Sequence, residues 1–249
     1  MRRLLRSALV LLALLAAWPA RAAEPVDLLL VLAADVSRSI DHEKFQLQRG
    51  GYAAAIADRR VLDAIASGLH GRIAICFVEW SGLGSQKVVI DWMRIDGTKS
   101  AQEFGDRLLE TPRSFADRTS ISSGIDFALA QFANAPFSGP RRTIDVSGDG
   151  TNNAGRGVTA ARDEAVALGV TINGLVILSE NPMPWNPAHT NPPGGLAKYY
   201  HDNVIGGPGA FVLVASGFKS FGQALINKLV AEIALNRRDE ELAFGPRRD

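Results

Sequence analysis

The feature that most limits the fold of this chain is a set of apolar runs, seven to ten residues long, that return between stretches of helical periodicity. They are VDLLLVLAA (26–34), RIAICFVEWS (72–81), QKVVIDWMRI (86–95), RRTIDVSG (141–148), TINGLVIL (171–178) and AFVLVAS (210–216). Strands that are apolar almost throughout need cover on both faces, which is the habit of a mostly parallel sheet. Helix-like stretches begin near 42, 99, 120, 158 and 218, and carry one-sided apolar stripes: Phe45, Tyr52 and Ile56; Ile121, Ile125, Leu129 and Phe132; Phe221, Leu225, Leu229 and Ile233. Only GLGS (82–85) separates the second and third runs, too short for a crossover and right for a hairpin. The expected fold is α/β: a doubly wound, mostly parallel six-stranded sheet with one antiparallel edge strand and helices on both faces.

The 249 residues suit one compact domain. Residues 1–22, MRRLLRSALVLLALLAAWPARA, pass from an Arg-rich start through a short apolar stretch to a small-residue ARA ending, the form of a cleaved secretory signal. The stretch is shorter than the roughly 20 apolar residues a bilayer requires, and no later segment is long enough, so no stable span is expected after signal removal. Removal takes four arginines and leaves 27 − 4 = 23 basic against 26 acidic residues, a balance of −3 that disfavours nucleic acid as a partner. The single cysteine, Cys76, lies in a strand and reads as a buried, inert thiol. The domain is expected over 23–235, a Pro- and Asn-rich surface loop over 179–195, and a charged C-terminal tail over 236–249. The expected location is periplasmic or secreted.

Ligands of doubly wound sheets bind beyond the carboxyl ends of the strands. Asp35 sits where the first run stops, in DVSRS with Ser37 and Ser39; Asp149 sits in the same place after RRTIDVSG; Thr119 and Ser120 lie on the loop entering a helix. Two acids and several hydroxyls form a hard oxygen set suited to Mg²⁺, Mn²⁺ or Ca²⁺. The histidines at 42, 70, 189 and 201 show no zinc-ligand spacing.

These residues carry a resemblance. DVSRS matches the DxSxS of the von Willebrand factor type A domain, TSISSGI resembles its threonine loop, and VSGDGTNN resembles its TDG strand end. The likeness covers roughly 26–235 and is nearest to bacterial secreted A-type domains of unknown function. It implies a metal ion-dependent adhesion site of Asp35, Ser37, Ser39, Thr119 and Asp149, with Mg²⁺ as first choice and Mn²⁺ or Ca²⁺ as alternatives. It also implies a monomeric binding module, not an enzyme, whose cation engages a carboxylate of a protein or peptide. The threonine loop departs from the pattern, reading DRT where small residues are common, which sets Asp117 and Arg118 beside the pocket.

Other readings of the same residues stand beside this one. GDGTNN resembles the Mg²⁺ motif of haloacid dehalogenase-type phosphohydrolases, but the second acid of their first loop is missing and Asn153 replaces the last acid. A structural A-like domain with a vestigial site is a further alternative, and DVSRS alone could be a helix N-cap loop with Asp41 as cap. The calcium-loop register fails at Arg156, and no GxSxG nucleophile elbow is present. Glu79 and Asp145 lie in strands and must be paired: either they support the site from behind, or a backbone group or arginine satisfies them. Trp185 and His189, in the Pro-rich loop, are candidates for a partner-facing rim or for simple coverage.

Overall fold

The computed structural model describes residues 23–179 and 186–244, with side chains described to residue 234. The expected signal, Trp185 and residues 245–249 therefore lie outside the described residues. Strands β1 (Glu24–Pro25), β2 (Leu29–Asp35), β3 (Ile73–Trp80), β4 (Gln86–Ile95), β5 (Phe137–Ser138), β6 (Arg142–Gly148), β7 (Thr171–Ile177) and β8 (Val212–Ala215) alternate with helices. The helices are α1 (His42–Ile56), α2 (Arg59–Ala66), α3 (Thr98–Glu110), α4 (Ile121–Gln131), α5 (Val158–Ala167), α6 (Pro187–Thr190), α7 (Leu196–Asn203) and α8 (Phe221–Phe244). No helix among the described residues is long and apolar enough to cross a membrane.

Six strands form one sheet in the order β4-β3-β2-β6-β7-β8, and every pairing is parallel except that of β3 with edge strand β4. The short GLGS connection thus produces the hairpin expected of it. The chain winds from β2 to β3 on one side and later from β6 to β8 on the other, so strand order reverses between β2 and β6. That reversal puts the ends of these two neighbours, Asp35 and the segment after Gly148, on one edge.

The sheet divides two cores. Leu30, Leu32, Ile75 and Phe77 face α1, α2, α3 and α8 with Tyr52, Ile65, Phe104 and Leu225. Val31, Ala33, Cys76, Val78 and Trp80 face α4, α5 and α7 with Ile125, Ala165 and Tyr200. Strand side chains alternate between faces, so neighbours in sequence enter different cores. Asp41 caps α1, its Oδ1 accepting the Lys44 N–H at 2.9 Å. Burial raises the Cys76 thiol pKa to about 12, which keeps it protonated.

Several local features differ from the pattern read in the sequence. β2 runs through Asp35, α2 and α7 appear in stretches without a clear stripe, and β1 pairs with β5 as a separate two-stranded sheet. The last helix begins at Phe221, after a 3₁₀ turn at Phe218–Ser220, and continues to Phe244 into the segment expected as a tail.

Both strand acids have cationic partners on the α1/α8 face. Arg49 of α1 lies 2.5 Å from Glu79 Oε1, and Glu79 Oε2 accepts the Ser114 N–H at 2.9 Å. Lys228 of α8 lies 2.6 Å from Asp145 Oδ2 and 3.2 Å from Glu232 Oε2, all three fully buried. Desolvation alone would lower the Lys228 pKa, but the two carboxylates raise it overall, so the ammonium stays charged. Replacing it leaves two acids without their cation in a dry core. Lys228→Met is expected to cost about 3–5 kcal/mol, measured by urea unfolding; a loss below about 1 kcal/mol would show that the cluster does not depend on the lysine charge.

Candidate metal centre

The β2–α1 loop is shaped by its own polar groups. Asp35 Oδ1 accepts the Ser37 N–H at 2.7 Å, the short local turn that Asp favours where a strand ends. Ser37 Oγ and Ser39 Oγ are 3.1 Å apart, and Ser39 Oγ donates to Asp149 Oδ1 at 2.6 Å, joining the first loop to the one after β6. Cationic side chains fix the loop through its carbonyls: Lys44 Nζ donates to Ser39 O at 2.9 Å and Arg113 donates to Ser37 O at 2.8 Å. Gln48 reaches Asp35 O at 3.2 Å from α1.

The third loop is clamped by the asparagines of GDGTNN. Asn153 Oδ1 accepts the Thr119 N–H at 3.0 Å, and the Asn153 N–H returns to Thr119 O at 2.8 Å. Asn152 Oδ1 accepts the Ser122 N–H at 3.2 Å, so the two asparagines hold the threonine loop against the end of β6. Ser120 caps α4 by accepting the Ser123 N–H. Thr119 is thereby placed by backbone contacts that leave its hydroxyl for other work.

That hydroxyl lies 3.2 Å from His189 Nε2, and His189 Nδ1 lies 3.2 Å from Thr151 Oγ1. The His189 ring sits over Gly150 so closely that a Cβ there would collide with it, which explains glycine at that position. Burial lowers the His189 pKa despite the nearby Asp149 charge, so the imidazole is neutral at neutral pH. Tyr200, on α7, closes the floor. A Cβ on Gly148 would meet the Tyr200 hydroxyl at 2.5 Å and Asp35 Oδ2 at 3.1 Å, so these two oxygens share one small space.

Three polar atoms here have no hydrogen-bond partner in the protein: Asp35 Oδ2, Asp149 Oδ2 and the Tyr200 hydroxyl, all in fully buried side chains. Burial raises the Asp35 pKa from 3.8 to about 8, with the Asp149 charge adding to it, and burial raises that of Asp149 as well. Two acids held in one dry region repel each other, and a cation between them and the hydroxyls would relieve both costs. Among the described residues no three His, Cys, Asp or Glu side chains cluster as a metal-binding group, so the donor set depends on the hydroxyls. Orphaned carboxylate oxygens beside Ser37 and Ser39 fit a hard divalent ion.

The structure brings Asp35, Ser37, Ser39 and Asp149 into one hydrogen-bonded group, with Thr119 at its His189-facing side. It turns Glu79 and Asp145 away. Both project from the face opposite Asp35, Glu79 to Arg49 and the Ser114 N–H and Asp145 to Lys228; the partner of Asp145 is a lysine and not an arginine or the backbone. His189 is buried against Thr119 and Thr151 and also lines the open depression over the site, and Trp185 falls outside the described residues. Tyr200, Arg113 and Asn152 carry no role in the sequence reading, and Asn153 enters it only as the residue that replaces an acid of the phosphohydrolase motif. Only the asparagines gave a signal there, as a pair after GDG.

An open depression of about 560 Å³ lies over the group, lined by Arg38, Ser39, Asp117, Arg118, Thr119, Asn153, Asn186 and His189. No curated protein matches the chain. Among solved structures, proximal thread matrix protein 1 from the mussel byssus, in a form described as having a zinc-occupied MIDAS motif, is 17% identical with a TM-score of 0.58. The match covers 85% of this chain and 48% of that one. The pilus adhesin SpaC from Lactobacillus rhamnosus GG is 15% identical, TM-score 0.60, over 86% of this chain and 30% of the adhesin. The PilB minor pilin from Streptococcus sanguinis is 12% identical, TM-score 0.55, over 89% and 64%. This chain thus spans about half the length of the byssus protein and under a third of the adhesin. At these identities the likeness is one of fold, and the fold is von Willebrand A-like. Residues 25–237, nearly the whole described structure, match one family model, and the chain belongs to that family, described as a protein of unknown function (DUF1194).

Proposed function

We propose that this chain is a cation-dependent binding module in which Asp35, Ser37, Ser39, Thr119 and Asp149 hold a divalent ion and a carboxylate from a protein or peptide partner completes its ligand set. The observation that carries this reading is the pair of fully buried acids, each with one oxygen that no protein group satisfies, at the switch point of the sheet. When bound, the cation supplies positive charge to these acids and a Lewis-acidic face to an incoming oxygen. The chain's own residues do the rest. Asp35 orders the loop through the Ser37 N–H, Ser39 and Asp149 tie two loops together, and the Asn153 clamp presents Thr119. Mg²⁺ is the proposed ion, with Mn²⁺ and Ca²⁺ next, because the donors are oxygens.

Support comes also from the fold relatives, which include a pilus adhesin, a minor pilin and a byssus matrix protein with zinc at its MIDAS motif. A phosphohydrolase of that type would need a second acid two residues after Asp35, where Ser37 stands, and the Asn153 that replaces its last acid is engaged with Thr119. The module is therefore read as a binder and not an enzyme, acting as a monomer. Its periplasmic or secreted location rests on the sequence of residues 1–22.

The test is the melting temperature of residues 23–249 in chelator and then in Mg²⁺, Mn²⁺ or Ca²⁺, beside Asp35→Ala and Ser39→Ala. A cation at 100 times its Kd adds about 2.7 kcal/mol, a rise of about 2–4 °C per kcal/mol in a domain of this size. The wild type should shift and both variants should shift less; equal behaviour of all three would remove the site.

The raised Asp35 pKa gives a second expectation. Between the unfolded value near 3.8 and the folded value of about 8, the native state binds more protons than the unfolded state, so metal-free stability falls as pH rises through that window. In chelator, the wild type should melt lower at about pH 8 than at about pH 5, and Asp35→Asn should flatten this slope. An unchanged slope in the variant would place its source elsewhere.

A further inference from the structure

Resting on the cation-dependent reading, we infer that the partner is a peptide segment with two neighbouring acidic side chains, one for the cation and the other for Arg38 and Arg118. Both arginines are exposed and line the depression together with Ser39, Thr119 and His189. They are also the only arginines among the described side chains whose guanidinium makes no hydrogen bond or ion pair. The others are committed within the fold: Arg156 to Asp126 and Glu164, Arg94 to Glu24 and Asp96, Arg142 to the Leu168 carbonyl.

A guanidinium stays charged at any physiological pH, and its planar fork of donors matches a carboxylate in a bidentate pair. The one acid of that lining, Asp117, does not fill this role. Its Oδ1 accepts the Arg118 backbone N–H, and its carboxylate packs so close to Gly82 that a Cβ there would lie 2.6 Å from Oδ2. Asn153 and Asn186 are neutral, and His189 is kept neutral by burial. The mouth of the site is therefore basic in a chain with 27 basic and 26 acidic residues overall. Arg38 lies between the two serines of DVSRS, so its backbone is fixed by the same loop that presents Ser37 and Ser39, and its N–H donates to Asp117 O at 2.8 Å. In an extended peptide, residues i and i+2 share a face about 6.6 Å apart. An Asp-x-Asp segment thus offers two carboxylates to one side, the arrangement that a cation and an adjacent arginine pair would take up.

The experiment uses the mature chain in saturating Mg²⁺ and three capped peptides of equal length: one with a single Asp in a Gly background, one with Asp-Gly-Asp, and one with phosphoserine in place of the second Asp. Binding is read by calorimetry on the wild type and on Arg38→Gln/Arg118→Gln, with the Mg²⁺-induced melting shift as the check that the variant is folded and loaded. The two-acid peptide should bind about tenfold more tightly than the one-acid peptide, and the double variant should bring this ratio close to one. Equal binding of the two peptides by the wild type, or a ratio that survives the double substitution, overturns the inference. A phosphoserine peptide that binds more tightly than the two-acid peptide also overturns it, in favour of a phosphorylated partner. Two-acid binding that persists in chelator and is lost in the double variant retains the arginine pair and instead sinks the cation reading. No binding of any peptide to Mg²⁺-loaded protein sinks both.

Discussion

A carboxylate removed from water must find a counter-charge or enough N–H and O–H donors, or it gives up its charge, because desolvation costs several kcal/mol per ion. Among the described side chains six acids are buried, Asp27, Asp35, Glu79, Asp145, Asp149 and Glu232, and the way each is answered organises the molecule. Asp27 takes the backbone N–H groups of His70 and Arg72. Glu79 takes Arg49 and the Ser114 N–H, and Asp145 and Glu232 share Lys228, with Asn173 completing Glu232. Those pairings tie α1 and α8 to the sheet. Asp35 and Asp149 have no ion-pair partner: each has one oxygen hydrogen-bonded to a serine of the DVSRS loop and one with no hydrogen-bond partner, whereas Asp145, whose Oδ1 is also unpartnered, has Lys228 at its Oδ2.

The parity of the strands separates these two kinds of acid. Asp35 follows Val31 and Ala33 on the α4/α7 side, whereas Glu79 follows Ile75 and Phe77 on the α1/α3 side. Adjacent strands in register place Ala34 beside Glu79 and Ser147, so an acid one position along points into the other core. The sequence contains this information as a period of two, and counting from the apolar residues of each strand would have turned Glu79 away from the site. Of the two readings open for Glu79, the arginine partner is the one this alternation favours.

Much of the architecture was legible for a related reason. The apolar runs are long and uniform, the GLGS connection leaves room only for a hairpin, and Asp35 and Asp149 stand at the ends of runs where a doubly wound sheet opens. The rest of the site depends on contacts far apart in sequence. His189 meets Thr119 across 70 positions, Tyr200 approaches Gly148 from α7, and Arg113 reaches back to the Ser37 carbonyl. Nothing local distinguishes Tyr200 from Tyr199 in the sequence. Only the packing of α7 on β7 and β8 buries one completely and leaves the other part-exposed. The helix α2 buries only Val61 and Ile65, too short a stripe to read from sequence, and α8 runs past the end of the expected domain at 235, where the charged sequence NRRDEE carries no apolar periodicity.

The cations nearest the two half-answered acids do not pair with either of them. Lys44 and Arg113 are close enough to Asp149 and Asp35 to influence them, yet their donors go to the carbonyls of Ser39, Val36 and Ser37. They stiffen the loop rather than neutralise it. His189, which could have carried a third charge, is kept neutral by burial. A fold selected only for stability would gain by turning one of these groups onto a carboxylate, as it does with Lys228 at Asp145. Spending the local cations on backbone instead holds the two acids and the hydroxyls in fixed positions with no cation of the chain paired to either acid, and under the proposed function such prearrangement would give a divalent ion its geometry before it arrives.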